Sequence, residues 1–118
     1  MAPQLRIEIY IPYYYNPEPN TDPTSLETRK PIEVRKHRLI KNEIVEKFKA
    51  VSKHPANIEG VWENPQNGNR HYDLCYKLEV TINGHDSLEE DLLKWKEKLK
   101  TMFEQFEIYM VYYPINRV

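Results

Sequence analysis

Between Tyr72 and Ile82 the chain sets Tyr72, Leu74, Tyr76, Leu78, Val80 and Ile82 on every second position, with Asp73, Cys75, Lys77, Glu79 and Thr81 between them. A period of two sustained over such a stretch describes a strand with one buried and one solvated face. It is expected to be a central strand. Leu5 to Tyr13 follows the same rule, with Leu5, Ile7, Ile9, Ile11 and Tyr13 on one side and Arg6, Glu8, Tyr10 and Pro12 on the other. Pro12 lacks the ladder donor and belongs at that strand's end or at a bulge.

Two segments carry the helical spacing instead. From Glu33 to Val51 the apolar residues Ile40, Ile44, Phe48 and Val51 fall on one face, with Val45 beside them and charge elsewhere. Pro31 is tolerated at the start, and Pro55 stops any continuation. The second helix runs from 87 to 104, with Leu88, Leu92, Trp95, Leu99 and Met102/Phe103 as its stripe. Ser87-Leu88-Glu89-Glu90 has the form of a capping box. Ile58 to Glu63 reads as a further strand, and Phe106 to Ile115 as the last.

The order strand, helix, strand, strand, helix, strand predicts an α+β fold, a ferredoxin-like βαββαβ sandwich with a four-stranded sheet in the order 4-1-3-2 and two helices on one face. Strands one and three are expected to be central, parallel neighbours. Residues 1–118 suit one domain with a single core. Asn16 to Pro31, rich in Pro, Asn and Asp, reads as an exposed and mobile insert in that domain.

Asn67-Gly68 invites a two-residue hairpin turn, which would set Trp62 opposite Asp73. A pairing shifted by one residue puts Trp62 opposite Tyr72 and Gly60 opposite Leu74 on the core side, because a single slip exchanges faces. Burial favours the second, with a longer or bulged loop across Asn64 to Arg70.

A net charge of −1 offers no global field for phosphate backbones or acidic membranes. The single cysteine, Cys75, excludes an intramolecular disulfide and suits a reducing compartment. There is neither a signal-like N-terminus nor an apolar run of the roughly 18–20 residues a membrane span needs. The expected setting is cytoplasmic, with no membrane partner.

The run Glu59-Gly60-Val61-Trp62, then Tyr72 and Asp73, then Phe103-Glu104-Gln105-Phe106-Glu107-Ile108-Tyr109 and the closing Tyr113-Pro114-Ile115, resembles a group of short prokaryotic proteins of about this size. The resemblance covers most of the chain outside the Pro-rich insert. It implies the ferredoxin-like fold and no activity or cofactor.

On the uncovered face of such a sheet the candidate ligand- or partner-binding residues are Glu8, Tyr10, Tyr14, Glu59, Glu63, Asp73, Lys77, Glu79 and Tyr109. Strand four presents either Tyr109, Val111 and Tyr113 or the opposite set, since both its faces are apolar. Lys77 is expected to pair with Glu8 or Glu79, as cross-strand charges on a solvated sheet do.

In the favoured register Glu63 lies opposite His71 with Asp73 on the same face, an alternative metal or acid/base cluster; the plainer reading is a solvated hairpin end. RNA stacking would require aromatics on both central strands within a basic field, and acidic residues surround Cys75 and Lys77, so no nucleic acid is expected. Cys75 reads as an inert small residue. His37, His54 and His85 lack ligand spacing, and no phosphate-cradling loop, catalytic-triad order or paired-cysteine motif is present. The expected function is a non-catalytic binding or assembly module, without cofactor, that forms a homodimer through its open face or edge strand. A small-ligand protein or metal-dependent enzyme using the acidic, Tyr-rich face is the alternative.

Overall fold

A computed structural model describes residues 3–18, 22, 25–65 and 67–118. Six elements follow one another: β1 (Gln4–Pro12), α1 (Val34–Phe48), β2 (Ser52–Glu63), β3 (Arg70–Asn83), α2 (Leu88–Met102) and β4 (Met110–Ile115). The strands form one sheet in the order β2-β3-β1-β4. All its pairings are antiparallel. The expectation that β1 and β3 run parallel is therefore corrected: the direct β2–β3 hairpin turns β3 back against the direction of β1.

The alternation of β1 and β3 sets the core. Ile7, Ile9 and Ile11 face Val80, Leu78 and Tyr76 across the ladder, and all are buried. Ile40 and Ile44 of α1, and Leu88, Leu92, Trp95 and Leu99 of α2, close over them in one cluster with Phe103 and Ile108. Fully burying each such side chain is worth about 1.5–3 kcal/mol. The two helices also touch each other on that side. The Phe48 and Trp95 rings meet edge to face with centroids 5.5 Å apart, and Glu43 accepts from the Trp95 indole at 3.2 Å and from Lys98 at 2.7 Å.

Element ends differ from the sequence reading where caps act. α1 stops at Phe48 rather than Val51 because Lys49 turns into the left-handed region (φ 68°), its amide returning to the Val45 carbonyl. Ser87 does stand at the head of α2, but its side chain makes no capping bond there and instead meets His85 Nδ1 at 3.2 Å. β2 begins at Ser52, well before Ile58, and its pairing with β3 slips between His54 and Ile58. β4 starts only at Met110, although the Tyr109 carbonyl already accepts from the Tyr10 N–H at 3.0 Å.

The hairpin loop is longer than two residues, as expected: Asn64 N–H donates to the Asn69 carbonyl and Gly68 N–H to the Asn64 carbonyl, with Gly68 at φ 72°. Its register differs from the one inferred. Trp62 stands opposite His71, Gly60 opposite Asp73 and Glu63 opposite Arg70. One further residue of slip puts Trp62 and Gly60 on the face away from the helices, with Asp73 and Cys75, and turns Glu59, Val61 and Glu63 to the other side.

Of the Asn16–Pro31 insert, residues 19–21 and 23–24 lie outside the described residues. What is described is not all exposed. Tyr14 bridges Pro31, Tyr15 N–H donates to the Lys30 carbonyl at 2.8 Å, and Arg29 is buried.

Candidate binding site on the open sheet face

The face without helices divides into two parts. Across the middle of β1, β3 and β4 lies a polar network. Glu8 is buried and accepts from Tyr10 Oη at 3.0 Å and from Tyr113 Oη at 2.5 Å, with Lys77 Nζ at 3.5 Å. Lys77 reaches Glu79 as well at 3.6 Å, so it pairs with both expected partners. Glu79 is completed by Arg6 at 3.3 Å and by His54.

The hydrogen bond from Tyr113 draws the Glu8 carboxyl below its ordinary range; burial opposes this, and Tyr10 and Lys77 add to the lowering. The Tyr10 hydroxyl is pushed up by burial and by the neighbouring Glu8. Such a network holds protons in place. Both of its carboxylates, Glu8 and Glu79, are engaged by donors within the sheet.

Toward the hairpin the face changes character. A hollow of about 410 Å³ opens there, lined by Trp62, Tyr10 and Tyr109 with Pro12, Ile58 and Cys75. The notch comes from Gly60, set between Ile58 and Trp62 on the same face; a Cβ built there meets nothing within 4 Å. Tyr10 and Tyr109 pack edge to face at 5.1 Å.

Trp62 is fixed on two sides. Its indole N–H donates to Asp73 Oδ2 at 2.5 Å, and its ring lies over His71 with centroids 4.5 Å apart. Asp73 Oδ1 is held in turn by Arg29 Nη2 at 3.0 Å, and the same guanidinium donates to the carbonyls of Tyr15 and Tyr72. Arg29 thus ties the insert to β3.

Burial pushes His71 toward its neutral form; Asp73 partly offsets that, and Arg29 adds to it. Its Nδ1 has no hydrogen-bond partner among the described residues. The Cys75 thiol is pushed up to about 12, by burial first and by Asp73 second. Such a shift disfavours the thiolate, the nucleophilic form, at neutral pH.

Of the residues expected on this face, Glu8, Tyr10, Asp73, Lys77, Glu79 and Tyr109 are there. Strand four contributes Tyr109, Val111 and Tyr113, because Val111 pairs with Glu8 and Tyr113 with Arg6. Tyr14 is not on it: beyond Pro12 the chain bends toward Pro31, and Tyr14 lines a separate hollow with Val34 and His37. Glu59 and Glu63 are corrected to the opposite side by the register.

The Glu63, His71 and Asp73 cluster therefore does not form, and no group of three His, Cys, Asp or Glu able to hold a metal occurs among the described residues. Gly60, Trp62 and Arg29 were absent from the expected site residues, the first two having been read as core-side. The first two carried a signal, a glycine between two large apolar residues at spacing two, which on one strand face must leave a gap. Arg29 carried none, since only the tertiary path brings it under β3.

No protein-family model and no curated protein matches the sequence. Among solved structures, the crystal structure of CutA1 from Oryza sativa superposes with a TM-score of 0.57 at 16% identity, covering 99% of this chain and 84% of that one. The likeness is one of fold. It supports the α+β assignment, two helices on an antiparallel sheet of ferredoxin-like type. No helix among the described residues is long and apolar enough to cross a membrane.

Proposed function

We propose that this chain is a non-catalytic binding and assembly module that forms a homodimer through edge strand β4 and the tyrosines beside it. One contrast between the two outer strands carries the reading. β2 bears Lys53, His54, Glu59 and Glu63, whereas Met110 to Ile115 contains no charged residue. Natural sheets protect an outer strand with charge, proline or cover. On β4 only Pro114 does so, and Tyr109, Tyr112 and Tyr113 stand exposed. The engaged state of Glu8, Lys77 and Glu79 supports a non-catalytic role.

Sedimentation over a range of concentrations tests this. A reversible dimer that Tyr112→Glu converts to monomer, with the fold retained, is the expected result. A chain that stays monomeric at every concentration rejects the reading. The alternative of a small-ligand protein is favoured by one observation, the hollow beside Trp62. A metal-dependent enzyme has no such support, because no group of three His, Cys, Asp or Glu able to hold a metal occurs among the described residues.

A further inference from the structure

We infer that the hollow between Trp62, Tyr10 and Tyr109 binds a small planar aromatic molecule carrying a cationic nitrogen. This rests on the hollow and not on self-association, so either can fail without the other. Its volume, about 410 Å³, falls in the range of roughly 300–1,000 Å³ typical of small-molecule sites. The slot runs along the strands: the Trp62 indole stands toward the hairpin, Tyr10 and Tyr109 toward the middle of the sheet, and no side chain at Gly60 divides it. A flat ring lying in it meets aromatic surface at either end. A branched aliphatic group would leave the ring faces unpaired.

The charge comes from what lines the slot. Among the described residues its charged lining is Asp73 and Glu107, with no Lys, Arg or His. Arg29 stands behind Asp73, with its donors given to Asp73 and to the Tyr15 and Tyr72 carbonyls. Lys96 lies 2.9 Å from Glu107 and is not among the residues lining the slot. These cations reduce the negative charge without entering the slot.

The N–H donors at its wall are directed inward. The Trp62 indole serves Asp73, and the Gln105 amide serves the carbonyls of Tyr14 at 3.2 Å and Phe103 at 3.0 Å. An anion would find electron-rich ring faces, two carboxylates and none of those donors. A cation finds the attractive side of each: the ring faces draw it through their quadrupoles, and each Asp73 oxygen, holding one donor, keeps a lone pair to accept with.

Three matched probes test this: 1-naphthylmethylammonium, the neutral 1-naphthalenemethanol and the anionic 1-naphthoate. Each is titrated into the full chain, below and above any self-association, while the two tryptophan indole N–H signals are followed by NMR. The expected result is that the ammonium probe shifts the Trp62 signal and leaves buried Trp95 unmoved. It should bind about tenfold or more tighter than the naphthoate.

Gly60→Leu fills the slot where a Cβ meets open space, so it should abolish binding without lowering the melting temperature. Should that variant fold poorly, Glu107→Gln at the rim serves instead, and it should weaken the ammonium probe about threefold while strengthening the naphthoate. Equal or tighter binding of the naphthoate, binding undiminished by both variants, or no binding of any probe overturns the inference.

Discussion

The two parts of the open sheet face are built from neighbouring residues of the same strands, yet they differ in what they leave over. In the central part every charged group has found a partner within the sheet, from Tyr113 on Glu8 to Arg6 on Glu79. In the hairpin part Asp73, Arg29 and the Trp62 indole are also paired, but that pairing lies beside an aromatic slot that no described residue fills. Alternation alone produces the first, since opposite charges on adjacent strands meet wherever a sheet is uncovered. The second needed a glycine, a register slip and a buried arginine from a distant loop. A surface that closes on itself is structure; one that is propped open is where a ligand can act.

The comparison breaks first at Arg29. With its side chain buried and three acceptors depending on it, Arg29→Ala leaves Asp73 uncompensated and the insert untied, at a cost of about 3–5 kcal/mol. Urea unfolding measures it, and a loss below about 1 kcal/mol would show the ion pair to be incidental. Cys75 sharpens the chemistry of the slot. With a thiol pushed up to about 12, iodoacetamide at mildly alkaline pH should modify it on the order of a thousandfold more slowly than a free cysteine. Alkylation at the ordinary rate would mean that the slot is wetter than it looks.

The central network is expected to matter less. Glu8→Gln keeps the shape but loses a charged acceptor for two tyrosines and the charge that Lys77 faces, costing roughly 1–3 kcal/mol. Because the Glu8 carboxyl titrates lower in the folded chain than its ordinary 4.5, its contribution is complete above that pH and is lost as pH falls through the lower folded value. The variant's stability should therefore fall less steeply below pH 4.5.

His71 gives the hairpin part an earlier limb. Its folded value is depressed below 6.5 by burial, so the stability from keeping it neutral is present above 6.5 and is lost as pH drops through the folded value. His37 is depressed too, first by burial and then by Lys53, so the ring-proton signals of the two histidines must be followed separately. Arg6→Ala should be smallest of all, at most about 1 kcal/mol, since Arg6 is over a third exposed and its bridge to Glu79 is screened.

Most of the fold was legible because burial writes itself as period. Ile7, Ile9 and Ile11 against Tyr76, Leu78 and Val80, and the stripe from Leu88 to Leu99, needed no partner information to be read. The direction of β1 relative to β3 needed only the hairpin counted through, and was misjudged. The site was less legible for a physical reason. Its position depends on the register of Trp62, which is fixed by the irregularity between His54 and Ile58 and by the loop from Asn64 to Asn69, and neither leaves an apolar pattern. Burying an indole on the helix side looked favourable as long as the aspartate that accepts its N–H was not known to be across the ladder. Arg29 sits in a segment whose composition is that of a solvated loop, and composition carries no trace of a long-range ion pair.

The face on which the Trp62 ring lies decides between these accounts, and nuclear Overhauser contacts from its indole protons read it directly. Contacts to the His71 ring, with the Gly60 and Asp73 backbones facing each other across the ladder, are the predicted result. Contacts from Trp62 to the Tyr72 ring instead would turn the indole to the side of the helices, close the slot and remove the binding site with it.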